Sequence, residues 1–285
     1  MTKDQLTETS KGVQFTATLS KWVVILIYFL IAIFPLLWLG ISAFKTNLEI
    51  QVKPFALPEV WQFKNFANAI RISGLPQFFL NSVIVASSAT ILNLLATSMA
   101  SFVIAREQFG LRKSIFTVIT AGVLVPIVAF MVPYFALITK INLYDSLLAL
   151  VLTYSAINIP ISVFLISSFM STIPKELEDA AEIDGCSFWQ RFIKVIFPLS
   201  RPGLVTAGTF SFIYCWNEFI YALLLTSSRH ARTLQLGIRF FTSQFRTDYA
   251  GMYAAIVLTI IPSVIVYMFL HEKIIAGLTA GAVKG

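Results

Sequence analysis

An all-α integral membrane protein with six transmembrane helices is the fold class this sequence predicts. Three observations carry that expectation. The 285 residues are 57% hydrophobic and only 12% charged, with a mean hydropathy of +0.80; a soluble domain carries about 25% charged residues, so lipid is the main solvent here. Six stretches reach the ~20 apolar residues that a bilayer crossing needs. Five of the six contain no charge at all. Backbone groups in lipid must be satisfied within their own segment, so runs of this kind form helices.

The first run, 22–44, follows a cytoplasmic N-terminus at 1–21. It has 23 uncharged residues, too many for the roughly 7–15 of a cleavable signal core, and reads as a retained membrane helix. An external connection at 45–77, with Pro54, Pro58 and Pro76, leads to the second run, 78–105. The remaining runs are 114–139, 146–173, 202–228 and 249–270. Pro35, Pro126, Pro133, Pro160 and Pro262 lie inside runs, where membrane bundles tolerate kinks. Trp22, Trp38, Tyr134, Tyr249 and Tyr267 fall near run ends, as amphipathic rings do at the interface. Residues 229–248 read as a second external segment resting on the membrane surface.

Orientation follows from the basic residues. With the N-terminus inside, inner segments hold 12 Lys and Arg and outer segments 9; the short 106–113 loop, with three bases, argues most directly for the cytoplasm. Net charge is +7, but the bases sit between apolar runs, so anionic headgroups explain them better than nucleic acid does. Cys186 and Cys215 make no disulfide framework, and His230 and His271 have no ligand-like companions, so no metal site is expected. No GxxxxGK[ST] phosphate loop is present.

One stretch departs from the apolar pattern. Residues 176–203, ELEDAAEIDGCSFWQRFIKVIFPLSRPG, carry five acids and three bases. Pro174 suits a first helical turn, and Glu176, Glu178 and Asp179 complement a positive helix end. Gly185 is a natural stop that takes a left-handed backbone. Ser187 is a plausible N-cap for a second helix, which places Phe188, Phe192 and Ile196 on one face with Trp189 and Ile193 adjoining. Pro198 and Pro202 end it. The product is a cytoplasmic helix–turn–helix elbow with one apolar stripe. Such a stripe suits either the inner leaflet or a cytoplasmic partner; the acidic first helix favours a partner, because anionic headgroups repel it.

Asp179-Ala180-Ala181, then Gly185, Val195 and Phe197-Pro198 reproduce the spacing of the Glu-Ala-Ala, Gly, Ile, Leu-Pro motif of permeases in binding-protein-dependent ABC importers. The chain resembles that family, with Asp for Glu, Val for Ile and Phe for Leu. SAFKTNLEI after the first helix, WNEFIYAL at 216–223 and GLTAGAVKG at 277–285 resemble its carbohydrate branch, the maltose type, in its smaller membrane subunit. The resemblance implies a type I importer permease domain over 76–271, including a coupling loop at 174–201, and a cytoplasmic tail at 272–285. It also implies an ATPase-coupling role for Asp179, Ala180, Ala181, Asp184, Gly185, Val195, Phe197 and Pro198, and an ATPase contact by Gly281 and Lys284 of the tail. The implied partners are a homologous second permease, an ATPase dimer that holds the ATP and magnesium, an extracytoplasmic sugar-binding protein, a carbohydrate and membrane lipid. No cofactor is expected in this chain. The implied location is a bacterial or archaeal cell membrane, with both termini cytoplasmic.

Glu218 is the one charge inside a run. A buried charge costs about 2.5–3.5 kcal/mol on insertion scales, so it faces protein or water. It lines a sugar pathway with Trp216 and Asn217, or it makes a structural hydrogen bond to a neighbouring helix. Asn81, Asn93 and Asn158 read as interhelical hydrogen-bonding residues. Glycerol-phosphate and polyol importers use similar permeases. An intramembrane enzyme lacks its cluster of catalytic groups here, and a secondary carrier lacks its repeated halves and coupling charges.

Overall fold

The computed structural model describes residues 3–72, 74–238 and 248–282, and every regular element among them is helical. The chain divides into two compact units, Met1–Ala69 with Phe241–Val257, and Ile70–Phe240 with Leu258–Gly285.

In the first unit, α1 (Lys3–Ser42) includes a span-length apolar stretch, Thr18–Ser42. No side chain from Thr18 to Ile41 is buried, so its apolar surface faces lipid or another chain. The connection that follows is folded rather than a plain link. Thr46 and Glu49 form a reciprocal capping box that starts α2 (Asn47–Val52). The Thr46 and Glu59 amides hold the Glu49 carboxyl below the usual carboxylate range. Lys45 is fully buried, and its ammonium donates to the Lys53 and Pro54 carbonyls at 3.1 and 2.8 Å. Trp38 donates to the same Pro54 carbonyl at 2.8 Å. Asn65, at the start of α3 (Lys64–Ile72), donates to Ala43 and Lys45 at 2.9 and 2.8 Å. A polar backbone that must leave the membrane is therefore closed upon itself.

In the second unit, α4 (Leu75–Arg106) is the central helix. Its buried face is unusually small and polar, including Ala86, Ala89, Thr90, Asn93, Thr97, Ser98 and Ser101. Small residues let helices approach closely where no hydrophobic drive separates protein from lipid. Beyond α5 (Arg112–Ala121) and α6 (Met131–Lys140), α7 (Leu147–Ile157) and α8 (Ile159–Met170) pack on that face. Asn93 crosses to α7 and donates to Ser155 at 2.8 Å, and Asn81 donates to the His230 and Arg232 carbonyls at 2.7 and 2.8 Å. Asn158 donates to the Tyr154 carbonyl at 2.8 Å within its own segment and also reaches the Cys215 Sγ of a distant helix at 3.7 Å.

The six expected runs are not six unbroken helices. Among the described residues, three helices are long and apolar enough to cross a membrane, Thr18–Ser42, Leu75–Arg106 and Tyr249–Phe269, and up to five spans result if each bent pair counts as one. The run at 114–139 breaks by 97° around Pro126, and the run at 146–173 bends by 48° beside Asn158 and Pro160. Proline removes a donor and clashes with the preceding turn, so both breaks have a local cause.

After α8 comes the elbow: its first helix α9 (Glu176–Ile183), then α10 (Phe188–Gln190), a π-helical stretch at Arg191–Ile196 and α11 (Phe197–Leu199). The run at 202–228 divides into α12 (Arg201–Asn217) and α13 (Ile220–Leu225), with Glu218 between them. A Cβ on Gly203 would lie 2.7 Å from the Phe169 Cβ, so glycine permits the close crossing of α12 on α8. Next is α14 (Leu234–Gly237); most of the expected surface segment beyond it, 239–247, lies outside the described residues. The last helix, α15 (Tyr249–Ala282), contains Pro262 and continues through most of the expected tail.

Candidate functional site

The elbow turns where its sequence permits it. Gly185 has φ +80°. Its amide donates to Glu182 at 3.0 Å, and the Cys186 amide donates to Ala181 at 2.9 Å. These two bonds are a Schellman close, which satisfies the last carbonyls of α9 and requires a left-handed residue at Gly185. Two residues on, the Ser187 amide donates to Gln190 Oε1 at 2.8 Å, and the Gln190 amide donates to Ser187 Oγ at 3.4 Å. One helix is closed and the next capped within about three residues.

The apolar stripe has a different destination from either expected one. Phe192 and Ile196 are buried against Phe102, Ile166, Met170, Ile173, Leu204 and Ala207, with Phe188 and Val195 packed at the edge. The Phe102 ring centroid lies 5.1 Å from those of both Phe188 and Phe192. Neither the leaflet nor a partner takes this face, because the chain's own bundle does. Trp189 and Ile193, expected to adjoin it, are 52% and 60% exposed. The outer surface thus carries Leu177, Ile183, Trp189 and Ile193 beside Glu176, Asp179, Glu182 and Asp184. Ala180, Gly185, Phe197 and Pro198 are exposed, Val195 is half-buried and Ala181 is buried.

A set of charged residues that spacing did not select ties the elbow down. Arg106, at the end of α4, donates from Nε to Glu178 Oε1 of α9, and from Nη1 to the Met170 and Ile173 carbonyls at 3.2 and 2.9 Å. Arg191 extends the set to Glu107 at 3.4 Å and Glu182 at 3.7 Å. The signal available in the sequence was slight: Arg106 ends a long uncharged run, but five acids in the elbow compete as its partner.

Glu218 sits at the break between α12 and α13. Its carboxyl accepts from the Tyr154 hydroxyl at 2.6 Å, the Tyr221 amide at 2.8 Å and the Ala222 amide at 3.1 Å. Trp216 is buried and donates to the Thr259 carbonyl at 3.3 Å. Asn217 is exposed, and Gln235 donates to its Oδ1 at 3.4 Å. Of the three residues expected to line a pathway, only Asn217 is exposed, and its Nδ2 donates to the Ile213 carbonyl at 2.8 Å. Tyr221 also walls an apolar recess of about 270 Å³ with Val125, Phe130, Tyr134 and Pro160. Gly281 lies in the last turn of α15, and Lys284 lies outside the described residues.

Broken and unbroken apolar helices carrying a polar elbow define a multi-pass membrane protein. Residues 93–279 match the family described as "binding-protein-dependent transport system inner membrane component", and the chain belongs to it. It is a transport component, not an enzyme. A putative ABC transporter permease protein, ORF2, of Caldicellulosiruptor sp. is 38% identical over 95% of this chain and 99% of its own. The diacetylchitobiose uptake system permease protein NgcG of Streptomyces coelicolor is 34% identical over 91% and 87%. A crystal structure of a bacterial ABC transporter that imports the acidic polysaccharide alginate shares the fold, with TM-score 0.80 and 19% identity over 91% of this chain and 97% of that one.

Proposed function

We propose that this chain is one half of the membrane pathway of an ATP-driven carbohydrate importer. The observation that carries the coupling part is the elbow: a capped, sharply turned polar segment whose apolar stripe is anchored in its own bundle, which leaves a mixed acidic and apolar surface facing outward. Asp179, Ala180, Asp184 and Gly185 form that surface and dock in a cleft of a separate ATPase dimer, which holds the ATP and magnesium. Val195, Phe197 and Pro198 set the second arm, and Gly281 and Lys284 of the tail approach the same ATPase.

The six apolar runs each cross the membrane, three of them as broken helices, with both termini and the elbow in the cytoplasm. The permease domain covers 76–271, and the first helix at 22–44 and the connection at 45–77 precede it. A homologous second permease completes the pathway, and an extracytoplasmic binding protein delivers the sugar. A carbohydrate is the cargo because the diacetylchitobiose permease is a relative over 91% of this chain and 87% of its own; Asn217 adds an exposed amide, bonded to Ile213 and Gln235, of the kind that suits sugar hydroxyls. Glu218 and Trp216 serve that pathway by holding the helix break that presents Asn217.

The test is uptake of labelled chitooligosaccharides, maltooligosaccharides and trehalose into vesicles containing the two permeases and the ATPase, with the binding protein added outside. ATP-dependent uptake of one of them supports the reading. ATP-dependent uptake of glycerol phosphate instead, with no sugar moved, sinks it.

A further inference from the structure

We infer that Arg106, Glu178 and Arg191 form a latch that makes the first arm of the elbow move as one body with α4 and α8. This rests on the proposal that the elbow docks on an ATPase, but concerns what happens inward of the docking surface. The two arms are attached to the bundle by different physics. The second arm is anchored by apolar burial, through Phe192 and Ile196. The first arm, α9, buries only two residues, Glu178 and Ala181. Alanine contributes little area, so α9 is held chiefly by Glu178.

Glu178 is suited to that task. Its side chain is 4% exposed and that of Arg106 8% exposed, while the other acids of α9 face outward. Arg106 meets Glu178 through its Nε, and the Met170 carbonyl at the end of α8 and the Ile173 carbonyl just beyond it through its Nη1, so a single planar group joins α4, α8 and α9. Arg191 braces the same acid from the second arm at 4.0 Å and reaches Glu107 beyond the end of α4. The chain turns at Pro174 on one side of this arm and at the left-handed Gly185 on the other, so neither end continues a helix into the bundle. A push on the outer face of α9 therefore reaches α4 and α8 through Arg106 and Glu178. They are positioning residues, and a buried charged pair specifies one arrangement even where it adds little stability.

The experiment uses the whole complex of two permeases and ATPase, with spin labels at Glu176→Cys on α9 and Leu95→Cys on α4 in a Cys186→Ser background. The expected result is one narrow distance, the same in nucleotide-free and ATP–vanadate-trapped complexes. Glu178→Gln should broaden that distance in the trapped state while ATPase co-purification stays at the parental level. An unchanged narrow distance in Glu178→Gln overturns the latch. Should Glu178→Gln fail to assemble, Arg191→Gln carries the same test, because Arg191 is partly exposed, and a narrow distance there overturns the latch equally. Asp179→Lys separates the two ideas: it should lose the ATPase yet keep the narrow nucleotide-free distance. Full ATPase recovery in Asp179→Lys counts against docking and leaves the latch to be judged on the distances alone.

Discussion

The Tyr154 hydroxyl donates to the Glu218 carboxyl at 2.6 Å, across 64 residues of sequence. That bond joins α7 to the point where α12 ends and α13 begins. The same carboxyl closes the first turn of α13 through the Tyr221 and Ala222 amides. A charge that is costly in an apolar run is thus held by three donors, and it fixes the position of Tyr221 on the wall of the apolar recess.

Removing one donor from a charged acceptor costs about 1.5–3 kcal/mol. Tyr154→Phe is expected to destabilise the solubilised complex by that order, read as a lowered thermal midpoint, and Glu218→Ala by more. The two changes should be strongly non-additive, because they break the same bond. Additive losses in the double variant would mean that the bond does not form.

Gly185 needs its left-handed backbone, and nothing lies within 4 Å of where a Cβ would sit. Strain rather than collision therefore sets the cost, about 1–2 kcal/mol for an L-residue, with Asn the exception that visits this region. Gly185→Val should insert normally but recover less ATPase on co-purification, while Gly185→Asn keeps most of it. Equal recovery in all three proteins would remove the turn from the docking account.

Topology has a direct chemical readout. Native Cys186 lies on the elbow, and Cys215 is buried. A membrane-impermeant maleimide added to intact cells should leave Cys186 unmodified. In a Cys186→Ser background, Lys140→Cys at the opposite end of α6 should react. Labelling of Cys186 from outside reverses the orientation.

Asp145 supplies a pH test. Burial pushes its carboxyl up, but the Ser227 and Ser228 amides, at 2.8 and 2.9 Å, pull it further down, so it lies below the usual aspartate range. A depressed folded value stabilises the fold above the unfolded value near ~3.9 and loses that contribution as pH falls through the folded one. Asp145 has φ 61°, which asparagine tolerates, so Asp145→Asn isolates the charge. The midpoint deficit of Asp145→Asn should hold at neutral pH and shrink as pH falls below about 3.9 toward the depressed folded value. A deficit that grows on acidification contradicts the assignment.

Some features of the elbow were legible because they are local. The Gly185 stop and the Ser187 cap depend only on residues within four positions, and both stand where their residue types placed them. The apolar stripe was legible as a stripe but not as to its destination, since lipid, a partner and the chain's own bundle all accept phenylalanine and isoleucine. Trp189 and Ile193 illustrate the same limit: their apolar character is evident, but both face outward, one position past the packed Phe188 and the buried Phe192 respectively.

The sequence by itself determined that the protein lives in lipid, that its segments are helical and that one polar elbow interrupts them. Those properties follow from composition and from the demand that backbone groups in hydrocarbon be satisfied nearby. Only the tertiary structure decided which of five acids meets Arg106, 72 residues away, and that Glu218 ends one helix and starts another. Both outcomes depend on which segments pack together, and a charge has no periodicity that names its distant partner. The breaks at Pro126 and Asn158 sit at the boundary between the two cases. Proline announces a weak point, but the packing of neighbouring helices decides whether the chain bends there by 97° or by 48°.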